Sequence, residues 1–195
     1  MQKRVVNIGT CGILLCWVLC ANTANAQSAD GPLGLRWGMA KEAVETMGIG
    51  LCCRQIGKWG ARYKVDSQDF KNFPNSLGDE EKVYLYFGNE NKLLRVYLAI
   101  RKIDGLNRYK QINIIVNKQY DFLESCIRKK YTKYEALRRE KNEETCRNYE
   151  SFSSYKKNDI DVFVGLEKYS TDYEISVIFL NRSIHNVDKD KNNPL

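Results

Sequence analysis

Apolar and polar positions alternate most regularly in the middle and the last third of the chain. Val83, Leu85 and Phe87 fall on one side of an extended segment and Tyr84 and Tyr86 on the other, and Leu93 to Arg101 is again rich in aliphatic and aromatic residues. A period of two marks a strand with two unlike faces. Between the two segments, Gly88-Asn89-Glu90-Asn91-Lys92 predicts a hairpin turn. Three more strands are expected from Tyr149 to Lys156, Ile160 to Glu167 and Tyr173 to Leu180, with turns at Asn158-Asp159 and Ser170-Thr171-Asp172. A shorter strand is expected around Arg62 to Val65, before an irregular stretch holding Pro74, Asn75 and Gly78.

Helical spacing occurs twice. Ala40, Val44 and Met47, followed by Gly48, predict a short helix from Met39 to Met47. No Ser, Thr, Asp or Asn caps its start, so Gly38 is left to serve. Tyr109, Ile112, Val116, Leu123, Ile127 and Tyr131 share one face of a longer helix from Arg108 to Lys130. Asn107 fits its N-cap, and Arg128, Lys129 and Lys130 suit the negative end of its dipole. A polar connection from Thr132 to Asn148 follows. Two helices and about six strands without βαβ alternation predict an α+β fold, with an antiparallel sheet packed on two helices. The order of helix then strands occurs twice and suggests a duplicated unit, although no residue-level repeat accompanies it.

The ends of the chain read differently from its middle. Lys3 and Arg4, an apolar run from Ile8 to Ala21 and the small-x-small sequence Ala24-Asn25-Ala26 describe a secretory signal peptide over residues 1–26, cleaved after Ala26. The run is shorter than the roughly 20 apolar residues that a membrane span needs, and Gly9, Thr10 and Gly12 interrupt it. Cys20 follows Leu19, which is a poor match to a lipoprotein-processing site. The expected division is therefore a leader, a single domain over 27–181, and a flexible tail over 182–195 with no core periodicity.

Export changes what the composition means. The formal net charge of +7 falls by two with Lys3 and Arg4, a modest excess that favours solubility over nucleic-acid binding. Of the seven cysteines, Cys52, Cys53, Cys126 and Cys146 remain, and an oxidising compartment makes them disulfide candidates. A bridge between the neighbours Cys52 and Cys53 strains its own ring, so Cys126 with Cys146 is the favoured pair. The competing pattern sends Cys52 and Cys53 separately to Cys126 and Cys146.

Chemistry is sparse. His185 is the only histidine and stands in the tail, which argues against a His-based nucleophile or zinc site. The four cysteines lack CxxC spacing, and Gly48-Ile49-Gly50 lacks the rest of a phosphate loop. Asp79-Glu80-Glu81 and Glu143-Glu144 read as solvated acidic runs. No catalytic residue, metal site or cofactor is expected. Three groups carry a functional reading. Trp59, Tyr63, Tyr84 and Tyr86 form a candidate interface, because Tyr and Trp anchor protein contacts. Cys52 and Cys53, beside Arg54, form a candidate redox pair. Arg128, Lys129, Lys130, Lys133, Arg138, Arg139 and Lys141 form a basic cluster suited to acidic lipid or a partner.

The segment Gly34-Leu35-Arg36-Trp37-Gly38-Met39-Ala40-Lys41-Glu42-Ala43-Val44, ending at Met47-Gly48, resembles the WGM(S/T)xxEV opening helix of many exported bacterial proteins. It is similar to the start of the small outer-membrane assembly lipoprotein domain (the SmpA/OmlA kind) and of β-lactamase-inhibitor-like domains. The hairpin of Val83 to Phe87 and Leu93 to Tyr97 resembles that of the same domains. Ala40 departs from the usual Ser or Thr, and the lipoprotein cysteine is missing. The resemblance implies an exported interaction domain with no active site to transfer. The expected role is a soluble periplasmic or secreted protein that binds another envelope protein. An inhibitor or immunity-like protein is the first alternative, and a thiol redox protein using Cys52 and Cys53 the second.

Overall fold

The computed structural model describes residues 31–57, 59–70, 73, 79–88, 90–103, 109–134, 149–169 and 172–185. The leader with Ala26, the Asn107 cap, the stretch with Pro74, Asn75 and Gly78, the connection beyond Tyr134 with Cys146, and the tail beyond His185 lie outside them.

Among the described residues, eight strands form one open antiparallel sheet. They are β1 (Cys52–Gly57), β2 (Gly60–Val65), β3 (Glu80–Phe87), β4 (Leu93–Ile103), β5 (Thr132–Tyr134), β6 (Tyr149–Lys157), β7 (Ile160–Lys168) and β8 (Asp172–Asn181). The spatial order is β1-β2-β3-β4-β8-β7-β6-β5, so two four-stranded meanders meet at their last strands. Along the join, nine residue pairs run in unbroken register from Arg95 opposite Leu180 to Ile103 opposite Asp172.

This architecture corrects the expected one of about six strands on two helices. Among the described residues only α2 (Tyr109–Lys130) is long; α1 (Lys41–Thr46) has six residues. The two strands missed are the sheet edges. β1 is exposed at every position and β5 has three residues, so neither carries the alternation that a half-buried strand shows.

The turns and caps explain why the rest follows the pattern. Asn91 and Asn158 take left-handed φ values of 52°, which lets the β3–β4 and β6–β7 turns reverse tightly. α1 starts at Ala40, whose side chain caps nothing. Its free Lys41 N–H donates instead to the Asn91 carbonyl at 3.1 Å, and Ala40 bridges to Lys92. Gly38 N–H also donates to the Leu93 carbonyl, while Leu93 N–H donates to the Met39 carbonyl. The Trp37-Gly38-Met39 segment is thus stitched to the start of β4, and the hairpin supplies the cap that the sequence lacks.

One face of the sheet carries the main core. Val83, Leu85 and Phe87 of β3, Val96, Leu98 and Ile100 of β4, and Val162 and Val164 of β7 all point into it. Leu35, Trp37, Val44 and Ile49 cover its first half. Val116, Tyr120, Leu123 and Ile127 of α2, spaced by four, three and four residues, cover the second. Among the described residues no helix is long and apolar enough to cross a membrane.

Candidate functional site

The opposite face of the sheet holds a second, smaller cluster built around aromatic rings and arginines. Its buried members are Tyr86, Leu94, Tyr97, Ala99, Phe163, Ile178 and Leu180, with Trp59, Tyr84, Phe152 and Ile184 packed against them. Period-two alternation sends Tyr84 and Tyr86 here while Val83, Leu85 and Phe87 face the core. A bulge places Tyr86 opposite Arg95 and Phe87 opposite Leu93, leaving Leu94 as the extra residue. That extra residue puts Leu94 in the second cluster and stacks Arg95 beside Tyr86 on the same side.

Two cation and ring stacks cross this face. In the first, Arg62 Cζ lies 4.8 Å from the Tyr84 ring centroid, and Tyr84 stacks on Tyr97 at 5.7 Å with ring planes 16° apart. Tyr97 Oη then donates to Glu174 Oε1 at 2.9 Å. In the second, Arg95 Cζ sits 4.7 Å from Tyr86 and 5.3 Å from Trp59, and Trp59 stacks on His185 at 4.4 Å. Arg95 is 4% exposed, so its guanidinium packs against these rings away from water. Arg62, Tyr84 and Trp59 are only partly buried and form the accessible edge of both stacks. Gly60 makes this placement possible. Its φ is +87°, and a Cβ there would meet the Phe87 carbonyl oxygen at 2.2 Å, so only glycine lets the turn bearing Trp59 lie so close to β3.

Ion pairs rim the face. Arg101 bonds Asp172 and lies 3.6 Å from Glu80, Lys82 reaches Glu80 at 3.3 Å, and Arg182 bonds Asp161. On the other side of the same sheet end, Lys102 reaches Asp79 at 2.7 Å, where burial would raise the carboxyl pKa but bonds from Lys102 and the Ile103 N–H lower it.

No known family model, characterised protein or solved structure matches this chain.

The other sequence candidates fall in different places. Trp59, Tyr84 and Tyr86 come together on the second face, but Tyr63 does not join them. It is buried in the main core with its ring edge-on to Phe87 at 5.8 Å, because β2 alternates Arg62 and Lys64 with Tyr63 and Val65. Arg62, Arg95 and Tyr97 were missed from the sequence. Both arginines were legible, since Arg62 is out of phase with Val65 and Arg95 is in phase with Tyr97 and out of phase with Val96; the bulge displaces Leu94 alone.

Cys52 and Cys53 are free and exposed on β1. The hydrogen bond with Cys53 pushes the Cys52 pKa up, which opposes a readily formed thiolate. Cys126 is buried in α2, and its expected partner lies outside the described residues. In the basic cluster, Arg128 and Lys133 each reach Glu124 Oε1 at 3.2 Å, so both charges are partly met inside the chain. Arg138, Arg139 and Lys141 lie outside the described residues.

Glu124 itself centres a polar network between α2 and β6. Its Oε1 also accepts hydrogen bonds from Tyr155 Oη and from Ser153 Oγ at 2.8 Å, and Tyr120 Oη donates to Ser153 Oγ at 3.4 Å. Burial pushes the Glu124 pKa up, but the bonds from Tyr155, Ser153 and Lys133 more than reverse this and bring it to about 2. Burial pushes Tyr120 up to about 12, and burial and Glu124 raise Tyr155. A carboxylate held ionised by the Tyr155 and Ser153 hydroxyls and the Lys133 ammonium is a poor proton donor near neutrality, and its bonds clamp the helix to the sheet.

Proposed function

We propose that this chain is exported by its leader, with cleavage after Ala26, and works in the periplasm or outside the cell by binding another envelope protein through the second face of its sheet. The observation that carries the reading is the pair of cation and ring stacks. Arg, Tyr and Trp are the residue types that dominate binding energy at protein interfaces. Here Arg95, Tyr86 and Tyr97 are buried and hold the partly exposed Arg62, Tyr84 and Trp59 in fixed positions, which lowers the ordering cost of contact. The charged rim around them suits the polar border of such an interface. The basic start and small-x-small end of the leader support export, and the likeness of residues 34–44 to the opening helix of exported interaction domains supports the same compartment. An enzyme as the partner, as in an inhibitor or immunity protein, would use the same face.

A photoreactive residue in place of Tyr84, introduced in cells that export the chain, tests this reading. It should crosslink one defined envelope protein, while the same residue in place of the exposed Lys118 on α2 should not. Crosslinks to no protein, or equally from both positions, would overturn the assignment of the face.

A further inference from the structure

Cys52 and Cys53 open β1, an edge strand whose six residues are all exposed. On a regular strand neighbouring side chains point to opposite faces, so adjacent thiols do not meet. Here the alternation breaks. Cys52 pairs with Lys64 and Gln55 with Arg62, which leaves one extra residue on β1 between them. Cys53 has φ of 56°, in the left-handed region that residues other than glycine seldom enter. The two thiols are exposed and free on neighbouring residues, and they interact, Cys53 raising the Cys52 pKa.

We infer that Cys52 and Cys53 form a vicinal dithiol site that a small-molecule disulfide oxidises reversibly within one chain. One cysteine sulfur attacks the reagent, forming a mixed disulfide and expelling the first reagent thiol. The neighbouring sulfur then attacks the bound cysteine sulfur and expels the second. Two cysteine S–H bonds are lost and one S–S bond forms, and the reagent takes up the two electrons and two protons as two thiols. Adjacent Cα atoms stand about 3.8 Å apart across a trans peptide, closer than the roughly 4.4 Å lower limit of ordinary disulfides. The ring is therefore strained and readily reduced, which makes the site a reversible modification point rather than a staple. Neither thiol is among the stacked rings and arginines, so this proposal and the partner-binding reading fail separately.

The test equilibrates the full reduced chain with mixtures of oxidised and reduced glutathione and follows the tryptic peptide 42–54 by mass. The peptide should lose two hydrogens without gaining a partner and should regain them on mild reduction. Cys52→Ser and Cys53→Ser should each carry one glutathione instead. Each should also lose about 100-fold in affinity for a bidentate trivalent arsenical, whose second bond is intramolecular only in the pair. Both positions are exposed, so an unchanged unfolding midpoint separates lost chemistry from lost folding. Linkage of peptide 42–54 to Cys126, to Cys146 or to a second chain would overturn the proposal, as would undiminished arsenical affinity in either variant.

Discussion

The two faces of this sheet are built from the same strands, often from alternate residues of one strand, yet they solve different problems. On the core face, Val83, Leu85, Phe87, Val96 and Val164 pack in a predominantly apolar cluster, and burial of that area supplies the stability. On the other face, Tyr84, Tyr86, Arg95 and Tyr97 stack in cation and ring pairs under a rim of ion pairs. Such stacks contribute less per residue than aliphatic burial, but they fix the position of polar groups. A sheet with one face of each kind separates what holds the fold from what it presents.

The largest effect that separates the faces is expected in the core. Leu85→Ala should cost about 2–5 kcal/mol by urea unfolding. An equal loss from Tyr84→Ala, one residue away, would erase the distinction. Glu124→Gln should come next, at about 2 kcal/mol near neutral pH. The folded Glu124 pKa of about 2 lies below its ordinary 4.5, so its contribution is complete above 4.5 and is lost as pH falls from there through 2. The native chain should therefore lose stability across that range, and the variant should lose correspondingly less. Arg95→Lys should cost about 1 kcal/mol, since an ammonium does not stack between Tyr86 and Trp59 as a guanidinium does. No change in the unfolding midpoint would mean that the stack does not hold the face together.

Much of this division was legible in the sequence, and the part that was not has physical causes. The alternation Val83, Tyr84, Leu85, Tyr86, Phe87 assigns faces correctly, because each residue meets one neighbour above or below the sheet. Tyr63 was grouped with the wrong face even though Arg62, Lys64 and Val65 mark its phase. The Leu94 bulge left no local sign, since Leu93, Leu94 and Arg95 read as an ordinary strand start. β1 went unseen because Cys-Cys-Arg-Gln-Ile-Gly buries nothing, and its ladder depends on β2 alone. The cap of α1 was unreadable because Asn91 lies 50 positions further along and reaches Lys41 only through the fold. Trp59 was legible as an aromatic anchor, but its contacts with Arg95 and His185 join three distant parts of the chain.

The smallest stability effect carries the most functional weight. Arg62→Ala combined with Tyr84→Ala should change folding stability by little more than about 0.5 kcal/mol for each partly exposed site. The most direct measurement is non-covalent capture of the envelope protein that the position-84 crosslink identifies, made with the native chain and with this double variant at a temperature where both are folded. Loss of capture by a folded variant is the predicted result. Capture at native yield would contradict the claim that this face is the one that binds.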